Sequence, residues 1–124
     1  MAMNPGPILI GLTGTSLDDT ARQQLQHPAV GGVVLFTRNF SDREQLANLV
    51  TEIRTIRNPR LLICIDQEGG RVQRLKDGFT ILPALGVLGK IFESDSGKAL
   101  DMAYRHARVM ATEMLEIGID MSFA

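Results

Sequence analysis

The feature that most constrains this chain is an abrupt change of character at residue 66. Leu61-Leu62-Ile63-Cys64-Ile65 is a short, uninterrupted apolar run. It is rich in aliphatic and β-branched residues and predicts a strand buried on both faces. Asp66-Gln67-Glu68 follows at once, placing two carboxylates and an amide at the strand's end. Gly69-Gly70 then opens backbone conformations that other residues avoid, and Arg71 and Arg74 come next. An α/β protein builds a site in this way at the carboxyl end of a parallel strand.

The same grammar appears twice upstream. Pro7 to Leu12 reads as a first strand and Thr13-Gly14-Thr15-Ser16 as its loop. Ser16 or Asp18 can cap a helix running to His27, with Leu17, Ala21 and Leu25 on one face. Pro28 and Gly31-Gly32 break it. Val33 to Phe36 reads as the second strand, tipped by Thr37-Arg38-Asn39. Ser41 with Glu44 has the form of a capping box. The helix behind it reaches Arg57, with Leu46, Leu49, Val50 and Ile53 as its apolar stripe, until Asn58-Pro59 stops it.

After the third strand tip, residues 71–96 carry Gly78, Pro83, Gly86 and Gly89 and read as an ordered loop with short helical turns. Asp95 or Ser96 caps a long helix over residues 97–117, with Met102, Met110, Met114 and His106 on or near its packed face. Gly118 ends this helix, and Ile119 to Ala124 begins a fourth strand.

Strands alternating with helices imply a parallel sheet with helical crossovers. Two architectures fit: a complete small doubly wound sheet, or the first half of a (β/α)8 TIM barrel, which needs about 250 residues. Polar tips on every strand, and the strand-like residues 119–124, favour the half barrel: three βα units plus the start of strand four. Thr13-Gly14-Thr15-Ser16 matches no phosphate-binding loop, which counts against a flavodoxin-like domain.

Length and charge narrow the function. The 124 residues are enough for one small domain; on the half-barrel reading, residues 1–124 are part of a barrel domain. With a net charge of −1 and scattered arginines, nothing suggests a nucleic-acid surface. No apolar run approaches the roughly 20 residues that cross a bilayer. Residues 1–7 lack the basic start and apolar stretch of a secretory signal. The lone Cys64 lies inside an apolar run and reads as a core thiol, in keeping with a reducing, cytoplasmic location. His27, His106 and Cys64 are too far apart in sequence to form a metal-ligand pattern.

Residues 65–75, IDQEGGRVQRL, resemble the D-Q-E-G-G-x-V-x-R motif of glycoside hydrolase family 3, and in particular its bacterial β-N-acetylglucosaminidases of cell-wall recycling. Gly31-Gly32-Val33-Val34-Leu35-Phe36-Thr37-Arg38-Asn39-Phe40 is similar to that family's second strand, and Gly118 to Ala124 to its fourth. The resemblance implies a (β/α)8 barrel that removes terminal β-linked N-acetylglucosamine, with a cell-wall muropeptide as partner and no metal or cofactor. It implies a retaining mechanism with an aspartate nucleophile and a histidine acid/base, rather than the usual carboxylate pair.

Carried over position by position, Asp66 and Arg74 match the family's substrate-binding residues. A carboxylate accepts strong, directional hydrogen bonds from sugar hydroxyls. Glu68, Gly69, Gly70 and Arg71 are expected to support the turn. Arg38-Asn39, at the second tip, is a weaker candidate for lining the cleft. The family's nucleophile and acid/base lie downstream of Ala124, so no catalytic residue is assigned in this chain, which is expected to be a fragment inactive alone. A half barrel also exposes strand edges, so self-association or pairing with a complementary half is expected. The competing reading is a non-catalytic sugar-binding or interaction module.

Overall fold

A computed structural model describes residues 6–124. The reading of residues 1–7 as free of a leader falls largely on residues 1–5, outside the described residues. The chain begins with β1 (Ile8–Gly11), α1 (Asp19–Gln26), β2 (Val30–Leu35), α2 (Arg43–Thr55) and β3 (Leu62–Ile65). A small hairpin follows, β4 (Gln67–Gly69) and β5 (Val72–Gln73), then α3 (Leu85–Ser94), α4 (Ser96–Ile117) and β6 (Met121–Ser122).

The main sheet has the order β1-β2-β3-β6, every pair parallel. Strands that stay in chain order belong to the early part of a (β/α)8 barrel, whereas a doubly wound sheet reverses its order at a switch point. Register explains the two faces. Ile10, Val33 and Ile63 share one row, and Leu35 pairs with Ile65 in the next. These side chains meet Leu25, Leu46, Leu49, Ile53 and Met114 from the helices in one core. Burying each large aliphatic side chain there contributes about 1.5–3 kcal/mol. The opposite face carries Leu9, Gly32 and Leu62 in one row and Gly11, Val34, Cys64 and Met121 in the next. On it Leu9, Leu62 and Met121 stay 38–39% exposed, while Val33, Ile63 and Ile65 on the helix side are 0% exposed. In a closed barrel this second face is the interior.

Local chemistry sets most boundaries. Asp18 caps α1, its carboxylate accepting the Ala21 N–H at 2.7 Å, and Leu17, Ala21 and Leu25 are buried as their spacing requires. Gly118 closes α4 in the left-handed conformation, φ 92°. Three expectations need correction. The cap of α2 is Asp42, not Ser41: Asp42 accepts the Gln45 N–H at 2.8 Å, and the Gln45 side chain, not Glu44, reaches back to the Ser41 N–H. Those bonds, with the Gln45 N–H first and the Ser41 hydroxyl second, hold the Asp42 carboxyl below its ordinary pKa. The second strand starts earlier, at Val30: Val30 pairs with Ile8 and Gly32 with Leu9, and the register shift between them is absorbed at Gly31. The segment 71–96 is not mainly loop: it contains β5 and the ten-residue α3, which buries Leu88 and packs along α4.

Candidate functional site

The β3 tip gathers the residues singled out by the sequence. Asp66 follows β3 immediately, and its alternation places it on the interior-facing side with Cys64. The chain then doubles back through the β4–β5 hairpin, Gln67 opposite Gln73. That return brings Arg74 to Asp66, with Nη2 donating to Oδ2 at 3.0 Å. Both side chains are partly exposed, 31% for Arg74 and 23% for Asp66, so the pair faces solvent rather than sealed core. Asp66 Oδ1 has no partner among the described residues and is not buried. Arg74 Nε is buried with no partner there.

Gly69 and Gly70 make the return possible, at φ 104° and 60°. These left-handed conformations suit glycine, and there is no room for more. A Cβ on Gly69 would run into the Pro83 carbonyl and sit 3.0 Å from His106 Nε2, and one on Gly70 would sit 2.6 Å from the Ala84 Cβ. The Gly70 N–H donates to the Leu82 carbonyl at 2.8 Å. His106 is buried under this turn, its Nε2 3.3 Å from the Pro83 oxygen, and acts as packing. Glu68 is half-buried and Arg71 exposed; neither makes a hydrogen bond or ion pair with the described residues.

Two glutamines perform the support that the sequence reading gave to Glu68 and Arg71. Gln67 is 1% exposed, its Oε1 accepting the N–H groups of Arg74 (3.1 Å) and Leu75 (3.0 Å) while its Nε2 donates to the Leu75 carbonyl (2.8 Å). Gln73 is also buried; it donates to the Leu75 and Thr80 carbonyls and accepts the Leu82 N–H. Both amides bond on their oxygen and nitrogen sides, as buried polar groups must. They fix the backbone that carries Arg74. The signal was present in the sequence only as two glutamines inside the motif, six residues apart; nothing in their spacing distinguishes a buried amide from a solvated one.

The second tip divides. Asn39 is fully buried and structural, donating to the Leu12 and Gly14 carbonyls and accepting the Phe36 N–H. Arg38 stays exposed, its Nε donating to the Leu12 carbonyl at 2.7 Å. Thr37 reaches the third tip, its hydroxyl donating to the Arg74 carbonyl at 3.3 Å.

A hollow of about 520 Å³ lies elsewhere, along edge strand β1 and helix α1, lined by Ile10, Gly11, Gln23, Gln24, His27 and Val30. It brings together no charged pair, unlike the β3 tip. Among the described residues no three His, Cys, Asp or Glu side chains gather where they could hold a metal, and no helix is long and apolar enough to cross a membrane.

With this geometry in hand, the chain can be set beside known proteins. It is 48% identical over 123 residues to a beta-hexosaminidase of Hydrogenovibrio crunogenus, covering 99% of this chain and 34% of that protein. The native structure of NagZ from Neisseria gonorrhoeae superposes with a TM-score of 0.93 at 46% identity, over 96% of this chain and 35% of that one. NagZ from Neisseria gonorrhoeae in complex with N-trifluoroacetyl-D-glucosamine superposes with a TM-score of 0.91 at the same identity and coverage. The chain therefore spans about a third of the length of these relatives, and its sequential parallel sheet is the one their barrel domain contains. The model of the glycosyl hydrolase family 3 N terminal domain matches residues 9–124, and the chain belongs to that family.

Proposed function

We propose that this chain is the part of a retaining β-N-acetylhexosaminidase that grips the terminal N-acetylglucosamine, and that the nucleophile and the acid/base lie outside these 124 residues. The observation that carries the reading is the Asp66–Arg74 pair at the β3 tip, with one carboxylate oxygen unused. Oδ2 is engaged by the guanidinium, which orients the carboxylate. Oδ1 remains to accept a sugar hydroxyl, and Arg74 Nη1 remains to donate, Nε being buried. A carboxylate held this way suits binding more than attack on an anomeric carbon. Asp66 and Arg74 thus orient the sugar, and the carboxylate's place beside a donor-rich side chain matches ring hydroxyls that both donate and accept. The solved relative carrying N-trifluoroacetyl-D-glucosamine supports this class of ligand.

The natural substrate on this reading is a cell-wall muropeptide with N-acetylglucosamine on an anhydro-muramyl unit, met in the cytoplasm. The apolar face around Leu9, Leu62 and Met121 supports self-association of the isolated chain, which sedimentation should detect as a concentration-dependent dimer. An NMR titration with N-acetylglucosamine tests the binding claim. Amide shifts confined to residues 66–74 are expected, and their absence at saturating sugar refutes it. The division of labour is tested with an aryl N-acetylglucosaminide. The pure chain should show no turnover, and turnover that survives purification would place the catalytic groups within it.

A further inference from the structure

Phe36 follows β2 directly, as Asp66 follows β3. Leu35 pairs with Ile65, so continuing the register sets Phe36 beside Asp66 on the interior-facing side. Two guanidiniums rest on its ring: Arg38 with Cζ 4.5 Å from the centroid, and Arg74 with Cζ at 5.6 Å. The far side of Arg38 is tied to the first strand end through the Leu12 carbonyl. Its Nη2 occupies space that a side chain at residue 11 would take, 2.9 Å from where a Cβ on Gly11 would lie. A row therefore runs across three strand tips: Leu12, Arg38, Phe36, Arg74, Asp66. In it the aromatic ring is the element shared by both arginines.

We propose that Phe36 is a positioning residue of the sugar site: its ring restrains the Arg74 guanidinium so that the side chain stays against Asp66 with Nη1 left for the ligand. The proposal rests on the reading of Asp66 and Arg74 as sugar contacts. The physical need is specific. Gln67 fixes the backbone of Arg74 but not its side chain. One bond to Asp66 leaves a long, partly exposed side chain with several rotamers, and Arg74 Nε has no partner among the described residues. The electron-rich face of a phenyl ring attracts a guanidinium and narrows that freedom without consuming its donors. An aliphatic residue of similar size would fill the space but lack the electrostatic hold.

The test compares the chain with Phe36→Leu, Phe36→Met and Phe36→Tyr, first without sugar. The Nε–Hε resonance of Arg74 and its heteronuclear relaxation report side-chain order. Order should match the unsubstituted chain in Phe36→Tyr and fall in the two aliphatic variants, while backbone amide spectra show all of them folded. A titration with N-acetylglucosamine should then show roughly five- to tenfold weaker binding for the aliphatic variants, the scale of one lost cation–π contact, and unchanged binding for Phe36→Tyr. Arg74 order that is unaffected by Phe36→Leu and Phe36→Met overturns the proposal while leaving the sugar reading intact. Loss of order without loss of affinity also overturns it. If no protein binds the sugar, the sugar reading fails and the site role of Phe36 falls with it, even where Arg74 order depends on the ring.

Discussion

Two carboxylates pair with arginine at opposite ends of the same sheet, and they differ in what they leave unused. Asp120, at the start of β6, is saturated. Its Oδ1 meets Arg54 Nη2 at 3.1 Å and Arg60 Nη1 at 2.9 Å, and its Oδ2 meets Arg60 again and the Ile63 N–H at 2.9 Å. Arg54 also donates to the Gly118 carbonyl at 2.6 Å, so the cluster joins α2, the end of α4 and two strands. Asp66, at the carboxyl end of β3, has one arginine and, among the described residues, an oxygen without a partner. A saturated carboxylate at the amino-terminal end serves stability; an unsaturated one at the carboxyl end is available to a ligand, which is the division of labour between the two faces of a (β/α)8 barrel.

The comparison can be broken by substitution. Asp120→Ala should cost the most stability, about 2–3 kcal/mol, because it strands the Ile63 N–H and leaves the part-buried Arg54 and the exposed Arg60 without their counter-charge. Urea denaturation measures it, and the sugar-induced shifts at residues 66–74 should persist under folding conditions. Gln67→Ala should cost about 2 kcal/mol, since it strands the Arg74 and Leu75 N–H groups, while the Leu75 carbonyl keeps its bond from Gln73. It should weaken sugar binding as well, and a variant that loses stability but keeps full affinity would show that the amide has no part in placing Arg74. Asp66→Ala should change stability by less than about 1 kcal/mol, as expected for a partly exposed pair, yet lower sugar affinity at least about tenfold, the value of a charge-assisted hydrogen bond. The reverse result, a large stability loss with intact binding, would make Asp66 another Asp120.

The smallest effect is on pH dependence. Burial, with a further contribution from the Asp120 carboxylate, pushes the Cys64 thiol above its ordinary value of 9.0. The folded chain then keeps a proton that the unfolded chain gives up. Stability from this group is complete below pH 9 and declines as pH rises from there through the raised folded value. Denaturation midpoints for the unsubstituted chain should therefore fall more steeply above pH 9 than those of Cys64→Ala. Parallel slopes would remove the thiol from the account.

Most of the scaffold was legible because it depends on local pattern. The apolar runs of β1 and β3, the Leu17-Ala21-Leu25 stripe of α1 and the Gly118 stop all express preferences of neighbouring residues. Failures occurred where two local signals competed. Ser41 and Asp42 are both good caps, and the helix that begins at Arg43 makes Asp42 the cap. Helix α3 was hidden because Gly86 and Gly89 lower its intrinsic propensity; packing along α4 compensates.

The sequence by itself determined the parallel α/β plan, the family and the Asp66–Arg74 candidate pair, since these follow from hydrophobic period and from a contiguous motif. Tertiary structure alone decided which polar side chains of that motif stay partly exposed at the strand tip and which are interior. Gln67 and Gln73 read as ordinary polar residues, yet are buried; Glu68 and Arg71 read as supports, yet bond to none of the described residues. The reason is that a polar side chain's role depends on the partners the folded chain brings within about 3 Å. Here those partners come from the β4–β5 return, from Leu75 to Leu82 and from the neighbouring strand tip.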